Sequence, residues 1–257
     1  MIKLFRKIRQ SLLTENKFSK YLIYAIGEIV LVVIGILIAL QLNNWNENHI
    51  QLKQEYKVLQ YLKADFLESK ERLLGTMKKQ KNVLRKSSEL INIYEGKIPR
   101  PINDSIINYI AFGAYSWYRP EMLTGAYDAF INTGNSELIR NDQLTKLLAE
   151  YFSIVNSGFE DQENSMNLLN NMQNILAPVY IHLSRMRNYG SQTDLDTLRS
   201  PKEDFAIDFL FKQDAFFSIL VSKTVVENLR YRIQEEMLNY INQIVLILNQ
   251  EIALYND

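Results

Sequence analysis

A chain of 257 residues holds one sizeable domain plus accessories, and its 29 basic and 29 acidic side chains leave no net charge. The absence of cysteine excludes disulfides, thiolate metal sites and cysteine nucleophiles. Charge is uneven along the chain, with Lys3, Arg6, Lys7, Arg9, Lys17 and Lys20 opposed only by Glu15 in residues 1–20, and 27 acids against 23 bases from Asn43 onward, which argues against nucleic acid as a partner.

The leader, residues 1–20, opens with Ile2, Phe5, Ile8 and Leu12 at helical spacing and its bases largely elsewhere. That pattern predicts a short basic amphipathic helix lying on an anionic inner leaflet, the alternative being a solvated basic tail. Residues 21–42 follow as a predicted transmembrane helix. At about 1.5 Å per residue the span is roughly 33 Å long, against a hydrocarbon core of about 30 Å. Its 14 Leu, Ile and Val residues favour insertion by about 4–8 kcal/mol at most. Glu28 costs roughly 2.5–3.5 kcal/mol on the same kind of scale, so insertion wins. A cleaved signal peptide would have a shorter core and a small-x-small site, and "ALQLNNWNE" offers none.

The preceding bases place the N-terminus in the cytoplasm and the remainder outside, giving a single-pass inner-membrane protein with a periplasmic C-terminal domain. Trp45 suits the outer interface, where an indole has one wet and one apolar side. Three readings of Glu28 stand open. Gly27, Leu31, Gly35 and Ala39 form a stripe of mostly small residues beside it. Such a stripe lets helices approach and gives a polar neighbour a partner, whether in a homo-oligomer or with another membrane protein. Alternatively Glu28 carries protons or ions in an energy-transducing complex. In the third reading its carboxyl is protonated or reaches headgroups or Lys20.

The stretch "FRKIRQSLLTENKFSKYLIYAIGEIVLVVIGILIALQLNNWNE" resembles the opening of a domain-of-unknown-function family of single-pass membrane proteins from Bacteroidota. The resemblance rests on the basic leader, the Gly27–Glu28 pair and the Asn43-Asn44-Trp45 exit, with a weaker echo over Ala126–Phe152. It implies an N-terminally anchored helical protein and brings no catalytic residues.

No proline occurs before Pro99, so the membrane helix is expected to continue as a stalk helix within residues 43–98, Leu52, Leu59, Leu62, Phe66 and Leu73 sharing one face and Gly75 its weak point. "EGKIPRP" at residues 95–101 stops it. The remaining helices of the bundle fall in residues 99–257. Asp104 is expected to cap a helix running to about Tyr118, and Pro120 to begin another ending near Asn132, with Gly134 in a left-handed turn. Asn141 or Asp142 opens a helix burying Leu144, Leu147, Leu148, Tyr151, Phe152 and Val155. The pattern fades at Ser157–Ser165 and returns with Leu169, Met172 and Leu176. Residues 188–203 read as loop. Asp214 is expected to cap a final helix to about Tyr255, with a heptad seam at Phe217, Leu220, Thr224, Glu227, Tyr231, Gln234, Leu238, Ile241, Val245, Leu248, Ile252 and Tyr255. Packed antiparallel on the stalk, that helix would return the C-terminus towards the membrane. No alternating run predicts a strand, so the fold class is all-α: one N-terminal transmembrane helix followed by an extracytoplasmic bundle of long helices.

Chemistry is sparse. His49 and His182 lack acidic partners at metal-ligand spacing, and neither a phosphate-binding Gly-rich loop nor a Gly-x-Ser-x-Gly turn occurs. Asp194 and Asp196 form a short acidic loop pair. No cofactor is expected. Trp117, Tyr118 and Arg119 are residue types enriched at binding hot spots, and they serve either as a recognition surface or as packing anchors beside Tyr127 and Phe130. The expectation is a non-enzymatic protein in contact with lipid and acting in assembly, scaffolding or ligand sensing.

Overall fold

The structure is a computed structural model that describes residues 18–132, 134, 138–157, 162–183 and 200–255. Among these residues there are seven α-helices and one π-helical segment, and no strand. The helices are α1 (Phe18–Tyr94), α2 (Asn103–Tyr109), the π-helical Ile110–Ala114, α3 (Gly125–Asn132), α4 (Asp142–Ser157), α5 (Gln162–Leu176), α6 (Glu203–Leu210) and α7 (Asp214–Ala253). The chain divides into two compact units, Met1–Lys57 and Val58–Asp257. α1 passes through Gly75 without a break, since a glycine in a long packed helix costs only about 1 kcal/mol relative to alanine.

The first unit is described from Phe18. From Ile26 to Gln51 every residue except Glu28 is exposed among the described residues. It is long and apolar enough to cross a membrane by length and composition. The leader residues Lys3, Arg6, Lys7 and Arg9 lie outside the described residues.

The second unit is a helical bundle with two apolar clusters. One gathers Leu59, Leu62, Phe66 and Leu73 of α1 with Leu144, Leu148 and Tyr151 of α4 and Met237, Ile241 and Leu248 of α7. The other gathers Leu90 of α1, Ile106 and Ile110, Met172 and Leu176 of α5, Ile207 and Leu210 of α6, and Phe216 and Leu220 of α7. At about 1.5–3 kcal/mol per buried side chain these clusters are the main driving force for folding. α1 and α7 run antiparallel within this unit: Tyr94 stacks on Phe217 with ring centroids 3.7 Å apart, and Gln80 bonds to Glu227.

Local signals explain most boundaries. α1 ends where Gly96 takes a φ of +70°, the conformation in which glycine escapes a Cβ penalty, and Lys97 N–H returns to Asn92 O at 2.9 Å. Asn141 caps α4, its Oδ1 accepting from Leu144 N–H at 2.8 Å. Gly134 is left-handed as expected, with φ +67°.

Three expectations need correction. The helix expected through Tyr118 ends as α-helix at Tyr109 and as π-helix at Ala114, and residues 116–124 are not helical. Pro120 does not open α3, which starts at Gly125. Asp104 and Asp214 sit inside the first turns of α2 and α7, neither of which has a side-chain cap; Asp214 instead accepts a hydrogen bond from Tyr94 at 2.5 Å. The short helix α6 begins at Glu203, where the stretch expected to be loop ends, in residues for which no element was expected. Asp194 and Asp196 fall outside the described residues.

Tyr151 is wholly buried against Phe66 and Phe152, yet its hydroxyl has no hydrogen-bond partner among the described residues. Burial alone pushes its phenol up from the ordinary value of 10. An unpaired buried hydroxyl costs about 1–3 kcal/mol. Tyr151→Phe is therefore expected to stabilise the bundle by about 1 kcal/mol, read as a higher urea midpoint at unchanged slope.

Candidate functional site

Between the two apolar clusters lies a polar layer. On α7, Lys223, Glu227, Arg230 and Gln234 point inward and are at most 3% exposed; Gln80 of α1 and Ser165 of α5 face them, both fully buried. Their spacing of four, three and four residues places the four α7 side chains on one face. Charged groups reach such depth only when paired, and these are. Arg230 Nη1 lies 3.2 Å from Glu227 Oε2, and Lys223 Nζ lies 3.7 Å from Glu227 Oε1. Gln80 Nε2 donates to Glu227 Oε2 at 2.5 Å and to its backbone oxygen at 3.2 Å, and Ser165 donates to Oε1 at 3.4 Å.

The cations also reach the non-helical aromatic segment. Lys223 Nζ donates to Ser116 O at 2.8 Å and to Gly113 O at 3.4 Å, and Arg230 Nη2 donates to Tyr118 O at 2.8 Å. α7 thereby supplies donors to the Ser116 and Tyr118 carbonyls just past the π-helical segment, which would otherwise seek partners along a helix. Arg230 also stacks over Trp117, with 5.2 Å from guanidinium carbon to ring centroid. α1 holds the far end of the segment, because Ser69 Oγ accepts from Leu123 N–H and Asp65 Oδ2 from Ala126 N–H.

Burial pushes the Lys223 amine down to about 8 against the attraction of Glu227. A lysine near neutrality has the basicity of a catalytic group. Its side chain, however, is 1% exposed and its nitrogen already bonded to two carbonyls. The arrangement can clamp; it offers no access for a substrate.

Gly113 fixes how closely the segment approaches α1. A Cβ there would lie 2.8 Å from Ser87 N and 2.9 Å from Lys86 Cβ, contacts to backbone and to the base of a side chain that cannot swing aside. Beside it Lys86 bonds to Asn108 at 2.5 Å and lies over Phe112, and burial lowers its amine. Gly113→Ala is expected to destabilise by about 1–3 kcal/mol through overpacking, measured by urea unfolding.

Of the residues singled out by sequence, Trp117 and Tyr118 are half-buried and Arg119 is exposed. The Tyr118 ring lies under Lys79, at 5.4 Å. Gly27, Gly35 and Ala39 are exposed in the first unit, with nothing within 4 Å of a Cβ built at either glycine, and Glu28 is partly covered. Trp45 is 67% exposed and stacks on His49, centroids 5.8 Å apart. His182 contacts Ser200 at 3.2 Å, in the other unit. No group of three metal-capable side chains occurs among the described residues.

Lys223, Arg230 and Gln80 escaped sequence reading, although a signal existed. Between Phe217 and Ile233 the apolar residues on α7 slip out of phase with the charged ones. Val221, Val225 and Leu229 recur every four residues on one face and Lys223, Glu227 and Arg230 on the other.

Residues 28–135 match a family of unknown function (DUF6090). The match covers less than half of the chain, beginning at Glu28 and ending just after α3; it includes the aromatic segment but neither the leader nor α7. No curated protein and no solved structure matches the chain.

Proposed function

We propose that the protein is a non-enzymatic, single-pass membrane protein whose span associates with another helix and whose helical bundle, on the outer side of the inner membrane, serves in assembly or scaffolding. The observation that carries this reading is the fully exposed apolar part of α1: Leu31, Ile38 and Leu42 are 73%, 55% and 63% exposed, and no other described helix combines that length with such composition. Water does not tolerate a surface of that extent, whereas lipid does. The six bases of the leader support a cytoplasmic N-terminus. Gly27, Gly35 and Ala39 beside Glu28 supply the small surface and the polar group that helix pairs in lipid use. A clamp with no accessible nucleophile or base supports scaffolding over catalysis.

Cross-linking in native membranes tests the reading. The wild-type chain is expected to give higher-order species, and Gly35→Ile, at a position where an added Cβ meets nothing within 4 Å among the described residues, is expected to remove them. Monomers alone from the wild type would overturn the proposal. Glu28→Gln separates packing from energy coupling: loss of the complex supports packing, while an intact complex that loses a proton-gradient-dependent phenotype supports coupling.

A further inference from the structure

The exposed part of α1 repeats every seven residues. Leu31, Gly35, Ile38, Leu42, Trp45 and His49 follow one another at steps of four, three, four, three and four, and all six are exposed. That alternation keeps one seam of a helix turned towards a supercoiled partner. Glu28 lies three residues before Leu31 on the same seam, and Gly27 and Ala39 flank it. Midway along, Ile38, Gln41, Leu42 and Trp45 line an open concavity of about 470 Å³. They are positions i, i+3, i+4 and i+7, the four residues that form the hole for one side chain of a facing helix. Trp45 stacks on His49, so two rings carry the seam past the apolar stretch. The nearest charge is on the opposite side of the helix, where Glu47 accepts a hydrogen bond from Asn43 at 2.8 Å.

We propose that this seam pairs with the same seam of a second copy, in parallel and in register, from Leu31 to His49. The inference rests on the membrane reading above, which inserts every copy in one direction and at one depth, so that identical residues meet level. The hole of Ile38, Gln41, Leu42 and Trp45 then receives Leu42 of the second copy. Partner choice along such a seam is set by the residues beside it. Here they are Val32, Ile34, Ala39, Gln41, Asn46 and Asn48, none of them charged. A second copy therefore meets no like charge. The amides of Gln41, Asn46 and Asn48 each donate and accept, so their own twins satisfy them. A foreign helix chosen by charge would find none on these flanks to choose it. Lipid does not cover the whole seam either, because Trp45 and His49 continue it beyond the span at residues 21–42.

The chain has no cysteine, so single cysteines report the contact directly. Leu42→Cys, Trp45→Cys and His49→Cys on the seam, and Asn44→Cys, Glu47→Cys and Gln51→Cys away from it, are each made in the full-length chain and oxidised with copper phenanthroline in its own membranes. A disulfide needs Cα atoms within about 7 Å, so homodimer is expected at roughly tenfold higher yield from the three seam positions. His49→Glu, which sets like charges against each other, is expected to lower the Leu42→Cys yield by about tenfold, while Glu47→Gln leaves it unchanged. Equal yields from both sides, adducts to another protein, or a Leu42→Cys yield that responds alike to both substitutions would overturn the proposal. Alkaline carbonate extraction of the same samples separates its failure from that of the membrane reading. Chain that stays in the pellet without seam-specific homodimer defeats the pairing alone, whereas chain released into the supernatant defeats both.

Discussion

Glu227→Leu is expected to lower the stability of the bundle by about 3–5 kcal/mol, the largest effect of any single substitution considered. The carboxylate is the shared partner of Lys223, Arg230, Gln80 and Ser165. Without it two cations and an amide remain in a layer where water does not reach them, and the removed attraction is replaced only by a side chain of similar bulk. Replacing the whole set, Lys223→Met with Glu227→Leu and Arg230→Met, is expected to recover much of that loss, because apolar residues of similar volume substitute for a buried ion cluster at little cost. What the triple variant does not recover is the clamp on Gly113, Ser116 and Tyr118. Urea unfolding followed by far-ultraviolet circular dichroism measures the first effect. Faster amide exchange in residues 113–124 of the triple variant measures the second. If the single and triple variants were equally destabilised, the ion cluster would not be the source of the penalty.

The second large effect is a dependence on pH. The Lys223 amine is lowered by burial from 10.5 to about 8. Below pH 8 it is charged in both folded and unfolded chains, and its desolvation penalty is fully present. Between pH 8 and 10.5 the unfolded chain holds a proton that the folded chain has released, so stability rises with pH, by roughly 3 kcal/mol at most. Lys86, also lowered by burial, adds in the same direction. Tyr115 and Tyr151 act oppositely, since burial raises both phenols and the unfolded chain ionises first above pH 10. Stability is therefore expected to climb from pH 8, peak between about 9 and 10, and fall beyond. In Lys223→Met the larger part of the climb should vanish. A flat profile in the wild type between pH 7 and 9.5 would show that the amine is not desolvated.

Sequence patterning read the ends of the bundle better than its middle. Leu59, Leu62, Phe66 and Leu73 on α1, and Leu144 to Phe152 on α4, are buried as their spacing predicts. There the hydrophobic stripe and the core coincide, so periodicity suffices. On α7 the expected seam shares Phe217, Leu220, Glu227, Gln234, Ile241 and Leu248 with the core, but the buried face is rotated by one residue. Lys223, Arg230, Met237 and Ile244 are buried where Thr224, Tyr231, Leu238 and Val245 were expected. A hydrophobicity count cannot choose that face, because two of its members are cations whose partners include Glu227 and the carbonyls of a distant segment. The same omission explains the misread helix at 115–124: its local propensity is overridden by donors more than a hundred positions away. α6 was missed because eight residues carry too few turns for a period.

The central claim is that α1 crosses the membrane and leaves the bundle outside, and the absence of cysteine offers a direct test. Single cysteines are introduced in the full-length chain as Lys3→Cys and as Lys146→Cys, the latter at an α4 side chain that is 77% exposed. Each is treated with a membrane-impermeant maleimide on intact spheroplasts. Position 146 should label at once and position 3 only after permeabilisation, with both proteins in the membrane fraction after alkaline carbonate. Labelling at position 3 alone, at both positions without permeabilisation, or release of the chain into the carbonate supernatant would contradict the account.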